Sequence, residues 1–135
     1  MIGWMLRVLV AAGLLGSSGV HLAVYLDWAR LAPVVGPLFL VNVVVGAVLA
    51  PTVLVWRHWL PEVAAVGFGV ATLTAYVLSL TVGFVGVTEQ FTTPEELWAV
   101  ITEAACVVFG AALLALRRAG AAESGRMWTV RPKRS

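Results

Sequence analysis

Four long runs of uncharged residues dominate the pattern of apolar and polar positions along the chain. They cover residues 8–26, 31–56, 63–88 and 97–116, and the one charged side chain within them is that of Glu103. The hydrocarbon core of a bilayer is about 30 Å thick and is crossed by about 20 helical residues. Each run is long enough to span it, and helices are expected because they pair their backbone groups internally.

The connections between these runs are short, so consecutive helices are expected to pack side by side in opposite directions. The sequence therefore predicts an all-α membrane protein, folded as an antiparallel four-helix transmembrane bundle. We assign residues 1–118 to this single domain. Its spans are expected at about 5–26, 37–56, 62–88 and 94–117.

Prolines and one capping motif sharpen the ends of the spans. Pro37 disfavours helix at the residue before it, so the second span is expected to begin near Pro37. Pro61-Glu62 is typical of the start of a helix and opens the third span. Thr93-Pro94-Glu95-Glu96 matches a capping box, which predicts the start of the fourth span.

Composition supports the membrane assignment and narrows the chemistry. The chain is 61% apolar and 12% charged, whereas a soluble domain is about a quarter charged. Cys106 is the one cysteine, which excludes an intrachain disulfide and a cysteine-rich metal site. The sequence contains no nucleotide-binding, metal-ligand or nucleophile–base motif. We therefore expect no catalytic residues, no metal and no cofactor, and hence not an enzyme.

Basic residues mark the orientation of the bundle. Of the nine Lys and Arg residues, Arg30 alone falls on one predicted side of the membrane. The other eight fall on the opposite side: Arg7, Arg57, Arg117, Arg118, Arg126, Arg131, Lys133 and Arg134. Since short basic flanks stay in the cytoplasm, we expect a multi-pass protein of a bacterial plasma membrane with both termini cytoplasmic.

The two ends of the chain carry further expectations. Residues 119–135 are expected to form a basic cytoplasmic tail without regular structure, which binds anionic lipid and places Trp128 at the interface. The tail matches no nucleic-acid module, so no nucleic acid is expected as a partner. At the other end, Arg7 followed by an apolar run also fits a cleaved signal peptide. The run is long for a signal, and we expect it to be retained.

The third span carries small residues at every fourth position. Small residues let helices approach closely in lipid, so this row is expected to pack against another helix of the bundle or to form a homodimer seam. Both alternatives stay open. The row consists of Gly67, Ala71, Ala75, Ser79 and Gly83.

Three polar residues in three different spans lie at a similar predicted depth. At 1.5 Å per helical residue, His21, Asn42 and Glu103 each lie roughly 8–10 Å inside the outer boundary. We predict that they form one buried polar cluster. Such a cluster is either a hydrogen-bonded clamp between helices or a site for a proton, a cation or a small ligand. Its expected neighbours are Ser18, Tyr25 and Thr81.

Three stretches of the sequence carry a resemblance to a known group of proteins. They are Gly19-Val20-His21-Leu22, Gly36-Pro37-Leu38-Phe39-Leu40 followed by Asn42, and Glu103. On these residues the chain resembles small four-span integral membrane proteins of actinobacterial type. The resemblance implies the fold and an inner-membrane location and no activity. Small multidrug-resistance exporters have a similar size, but their essential Glu lies in the first helix, where this chain has His21.

Two functions are compatible with the sequence. The first is a non-catalytic accessory or assembly subunit of a membrane complex, because the faces of small residues offer docking surfaces. The second is a small oligomeric transporter or channel-like protein that uses His21 and Glu103 for a proton, a cation or a small ligand. The expected partners are the lipid bilayer and either a second copy of the chain or a larger membrane complex.

Overall fold

Four long helices make up the fold. The structure is a computed structural model that describes residues 1–86, 88 and 93–129, with side chains as far as residue 126. The expected all-helical fold is confirmed for the part described, and each long helix has the length and apolar character needed to cross a membrane. The helices are α1 (Ile2–Asp27), α2 (Val35–Val55), α3 (Trp59–Thr81) and α4 (Pro94–Thr129), and a short 3-10 helix (Ala29–Leu31) follows α1.

Large apolar side chains cover the outside of the bundle, and a thin layer of small and branched residues fills its inside. Val41 and Val48 of α2 are 56% and 59% exposed, and Val77 of α3 is 55% exposed. The buried layer includes Val10 and Leu14, which are fully enclosed. Helices that are apolar on all sides are typical of membrane spans, so the exposed valines are positioned to face lipid.

Four ends of α1, α2 and α3 differ by more than one residue from the expected positions. α1 begins at Ile2 rather than near residue 5. α3 begins at Trp59, where His58 caps the helix, rather than at Pro61-Glu62. α2 begins at Val35 rather than near Pro37. Pro37 occupies the third helical position, where a backbone N–H would have no partner inside the helix, so the ring breaks no bond there. α3 ends at Thr81 rather than at residue 88. The chain then adopts positive φ at Gly83 and Gly86, both 82°, which a continuing right-handed helix does not allow.

The two ends of α4 test the predicted capping box and the predicted irregular tail. The capping box is confirmed, because the Thr93 N–H donates to Glu96 Oε2 at 3.0 Å and the Glu96 N–H donates to Thr93 Oγ1 at 3.4 Å. The expectation of an irregular tail from residue 119 is wrong for the described part, since α4 continues to Thr129. The alanines at 119, 121 and 122, with Glu123 and Arg126, favour this extension and offset the low helix propensity of Gly120 and Gly125. The lipid-binding residues expected at 131–134 and the interfacial side chain of Trp128 lie outside the described residues.

Glycines set the closest approaches between helices. A Cβ atom added at Gly13 of α1 would lie 2.9 Å from the Thr102 carbonyl oxygen of α4. A Cβ atom at Gly69 of α3 would lie 2.6 Å from the Glu103 carbonyl oxygen, also on α4. Both separations are too short for a real side chain. Backbones therefore meet at these points, as expected when helices associate through small residues.

The row of small residues on α3 does not make these approaches. A Cβ atom added at Gly67 would have nothing within 4 Å. Ala71, Ala75 and Ser79 line a cavity, and Gly83 follows the end of α3. The glycine of α3 that contacts α4 is Gly69, which lies outside the row. The four-residue period is correct for a helical face, but the face turns toward an opening.

Three charged residues join the helices at one end of the bundle. Glu62, in the first turn of α3, is fully buried. Its Oε1 lies 2.6 Å from Nη2 of Arg7 on α1 and 2.7 Å from Nη2 of Arg117 on α4. Arg117 also donates from Nε to Oε2 of Glu62 at 3.1 Å. We call Arg7, Glu62 and Arg117 the Arg–Glu–Arg triad.

The triad also satisfies backbone groups that the helices leave unpaired. Arg7 Nη1 donates to the carbonyl of Val53 at 2.6 Å. This carbonyl belongs to the last turn of α2, whose C=O groups have no partner inside the helix. Arg117 Nη2 donates to the carbonyl of Arg57, in the link between α2 and α3, at 3.3 Å. All four helices thus converge on one carboxylate and two guanidinium groups.

The first prediction concerns close packing at Gly69. Gly69→Ala is expected to lower the free energy of unfolding by about 1–3 kcal/mol, because the new methyl group overpacks against α4. Gly67→Ala is the matched control, and it should raise stability slightly because alanine favours helix. The measurement is SDS-induced unfolding in detergent micelles, followed by far-UV circular dichroism. Equal effects of the two substitutions would contradict the assigned α3–α4 contact.

The second prediction concerns the triad. Glu62→Gln is expected to cost about 3–5 kcal/mol of unfolding free energy, because Arg7 would remain buried without an opposite charge. The double variant Arg7→Leu/Glu62→Leu should lose less, since it removes both buried charges together. Glu123→Gln, on an exposed part of α4, serves as the control in the same assay. A loss in Glu62→Gln no larger than in this control would show that the triad is not a structural requirement.

Candidate functional site

A second polar cluster lies nearer the other ends of the helices and centres on Ser17 of α1. The Ser17 hydroxyl oxygen is 3.5 Å from Oδ1 of Asn42 on α2 and 3.5 Å from Oε1 of Glu103 on α4. Ser17 is fully buried, and Asn42 and Glu103 are 7% and 2% exposed. Thr72 of α3 lines the same cavity as Asn42 and Glu103, and its hydroxyl donates to the Phe68 carbonyl at 2.9 Å. The four long helices therefore each place a polar residue in the cluster or on the wall of this cavity.

His21 lies beside this cluster, one turn after Ser17 on α1. Its Nδ1 is 2.9 Å from the backbone oxygen of Ser17, and its Nε2 is 3.7 Å from Oε1 of Glu103. Because a carbonyl oxygen only accepts hydrogen bonds, the hydrogen of a neutral His21 ring resides on Nδ1. The Nε2 atom that faces Glu103 is then an acceptor.

The structure brings together the three residues that form the core of the predicted cluster, but not their expected neighbours. His21, Asn42 and Glu103 all line one cavity. Thr81 is exposed and donates to the backbone carbonyl of Val77, away from the cluster. Neither Ser18 nor Tyr25 lines the cavity. Ser18 instead packs close to Gly46 of α2.

Ser17 and Thr72 are not among the cluster residues that the sequence predicts. Both are small hydroxyl residues, which are common in membrane helices and are as easily assigned to packing as to a site. Ser17 precedes His21 by four residues, so the two lie on one face of α1. That spacing was a usable signal. The choice between Ser17 and Ser18 depends on how α1 is rotated, which only the packing of the helices reveals.

A crevice of about 500 Å³ opens beside the cluster. Its walls come from all four helices, and among the pairs of neighbouring long helices α2 and α3 have the loosest contact. Apolar residues form most of the surface, and Phe39 stacks at a tilt on His21 with ring centroids 4.9 Å apart. Crevices of this size, with apolar walls and few convergent polar groups, are typical of small-molecule sites.

The hydrogen bonding of the Asn42 amide favours a ligand site over a clamp that only holds helices together. Its side-chain nitrogen is buried and has no hydrogen-bond partner. A clamp between helices would satisfy its own polar groups, because an unpaired buried amide costs free energy. Asn42 lines the crevice, so a molecule in the crevice is positioned to supply the missing partner.

Carboxylates surround the crevice. Asp27, Glu95 and Glu96 line it together with Glu103, and no Lys or Arg is among its lining residues in the part of the chain that the structure describes. Across the described residues, no group of three or more His, Cys, Asp or Glu side chains is arranged to hold a metal ion. The crevice thus combines an apolar surface with a negative electrostatic environment.

No protein-family model, no curated protein and no solved structure matches the chain.

The third prediction tests whether Asn42 holds the helices together. Asn42→Leu is expected to leave the free energy of unfolding unchanged or to raise it, because it removes a buried side-chain nitrogen that has no hydrogen-bond partner. Ser17→Ala should lower it by about 1–2 kcal/mol, since Asn42 and Glu103 both lose their hydroxyl partner. The measurement is SDS unfolding of the ligand-free protein in detergent. A large loss in Asn42→Leu would identify the cluster as a clamp.

Proposed function

We propose that the chain is a plasma-membrane protein that binds a small amphipathic molecule in the crevice. The observation that carries the proposal is the position of the polar cluster on the wall of the crevice, with a buried side-chain nitrogen of Asn42 that has no hydrogen-bond partner. A ligand with an apolar body would occupy the walls, and its polar group would reach Asn42 and Glu103. Binding of this kind is the first step of transport or sensing.

The proposal includes an orientation. We propose an up-down-up-down bundle with both termini in the cytoplasm, because the basic flanks gather at the end that holds Arg7 and Arg117. In that orientation the Arg–Glu–Arg triad is cytoplasmic and the crevice belongs to the outer half of the membrane. The acidic residues Asp27 and Glu95 then lie at the outer boundary.

An accessory or assembly subunit is the second candidate. It is favoured by the small residues Ala71, Ala75 and Ser79, which face the gap and would allow a partner helix to approach. Purification from native membranes in a mild detergent distinguishes the two candidates. A stoichiometric membrane partner, lost in Ala75→Leu, would favour the accessory role.

The fourth prediction tests ligand binding in the crevice. The probe is 4-phenylbutanol, whose ring suits the apolar walls and whose hydroxyl both donates and accepts hydrogen bonds. Saturable binding to the protein in phosphatidylcholine nanodiscs is expected by calorimetry, after subtraction of empty nanodiscs. Ala75→Trp should abolish it, because an indole ring fills the crevice beside Asn42.

Val77→Trp is the matched control for that experiment. Val77 lies on α3 two residues after Ala75, is 55% exposed and does not line the crevice. Tryptophan at this position should face lipid and leave binding unchanged. Binding that is absent in the native protein, or equally affected by both tryptophans, would overturn the proposed function.

A further inference from the structure

The hydrogen atoms available in the polar cluster are too few for its acceptors. The Ser17 hydroxyl has one hydrogen, but two acceptor oxygens, those of Asn42 and Glu103, each lie 3.5 Å away. Interchanging the oxygen and nitrogen of the Asn42 amide leaves the atom positions unchanged. Asn42 then donates to Ser17, and Ser17 donates to Glu103, so every short contact joins a donor to an acceptor.

This arrangement leaves only acceptors for a bound molecule. The amide atom without a partner becomes the Asn42 oxygen, in the position of the unpaired nitrogen. Glu103 presents Oε1, and His21 presents Nε2, since its Nδ1 hydrogen is used on the Ser17 carbonyl. The Nε2 and Oε1 atoms are 3.7 Å apart, and both carry lone pairs. A donor placed between them removes their repulsion.

The charges around the crevice also favour a ligand group that donates hydrogen bonds, and one that is positively charged. All charged residues among the described lining residues are carboxylates, at Asp27, Glu95, Glu96 and Glu103. Carboxylates with apolar walls create a negative potential that concentrates cations. A carboxylate buried at membrane depth is costly without an opposite charge, and a bound cation supplies one to Glu103.

We propose that the crevice selects amphipathic primary amines. A primary ammonium carries three N–H donors, which match the three acceptors of Asn42, Glu103 and His21. The apolar walls and the ring of Phe39 accommodate a hydrocarbon or aromatic body. A metal ion fits less well, because no three metal-ligating side chains converge within the described residues. This inference rests on the proposed function and names the chemical class of its ligand.

The experiment compares three probes with the same body in zwitterionic nanodiscs: 4-phenylbutylamine, 4-phenylbutanol and 4-phenylbutyl-trimethylammonium. The amine is expected to bind about tenfold more tightly than the alcohol, because charge-assisted hydrogen bonds are roughly twice as strong as neutral ones. The trimethylammonium analogue should bind less tightly than the amine, since it is charged but has no N–H. Empty nanodiscs correct for partition into lipid.

Variants locate the preference at the cluster. Glu103→Gln should reduce the advantage of the amine over the alcohol to about twofold or less, because the isostere keeps the shape and removes the charge. Asn42→Leu, which is expected to fold, should weaken amine binding and thus tests the cluster independently of Glu103. Glu123→Gln removes an exposed carboxylate outside the crevice and should leave all three affinities unchanged.

The failures of the two proposals are distinguishable. Equal binding of amine and alcohol, sensitive to Ala75→Trp, would overturn the selection of amines and leave the ligand site intact. Equal binding of the amine and its trimethylammonium analogue would also overturn it, because charge alone would then be recognised. Absence of saturable binding for all three probes would overturn both proposals.

Discussion

The carboxylate of Glu62 is the constraint on which the packing of the bundle depends. A buried charge in an apolar environment is tolerated only with opposite charge and hydrogen bonds close by. Arg7 and Arg117 meet both conditions, and Arg7 also reaches the end of α2 through the Val53 carbonyl. These partners come from different helices. The need to pair the buried Glu62 carboxylate therefore determines which helix ends lie next to one another.

The triad and the crevice are complementary results of this arrangement. The Arg–Glu–Arg triad holds the helices together where α2 ends and α3 begins. Elsewhere along their length, α2 and α3 have the loosest contact of the pairs of neighbouring long helices. Contacts of α1 with α2 and α4, and of α3 with α4, are closed by glycines such as Gly13 and Gly69. The remaining gap holds the crevice, and its wall carries the second set of polar groups.

The two polar clusters differ in a way that indicates different roles. The triad pairs its carboxylate oxygens with guanidinium groups and also occupies two backbone carbonyls. The cluster around Ser17 has longer contacts, of 3.4–3.5 Å to the hydroxyl, and leaves one atom of the Asn42 side-chain amide unpaired. Fully paired charges stabilise a fold, while an unpaired buried amide beside a cavity costs stability unless a ligand completes it.

The sequence by itself determined the number of long apolar helices, the capping box at Thr93 and Glu96, and the grouping of His21, Asn42 and Glu103. Uncharged length, capping chemistry and helical rise are local properties that can be read along the chain. Only the tertiary structure decided that Ser17 rather than Ser18 joins the cluster, that Ala75 faces a crevice, and that Glu62 binds two arginines. Those outcomes depend on how each helix is rotated about its axis, and rotation is set by contacts between residues far apart in sequence.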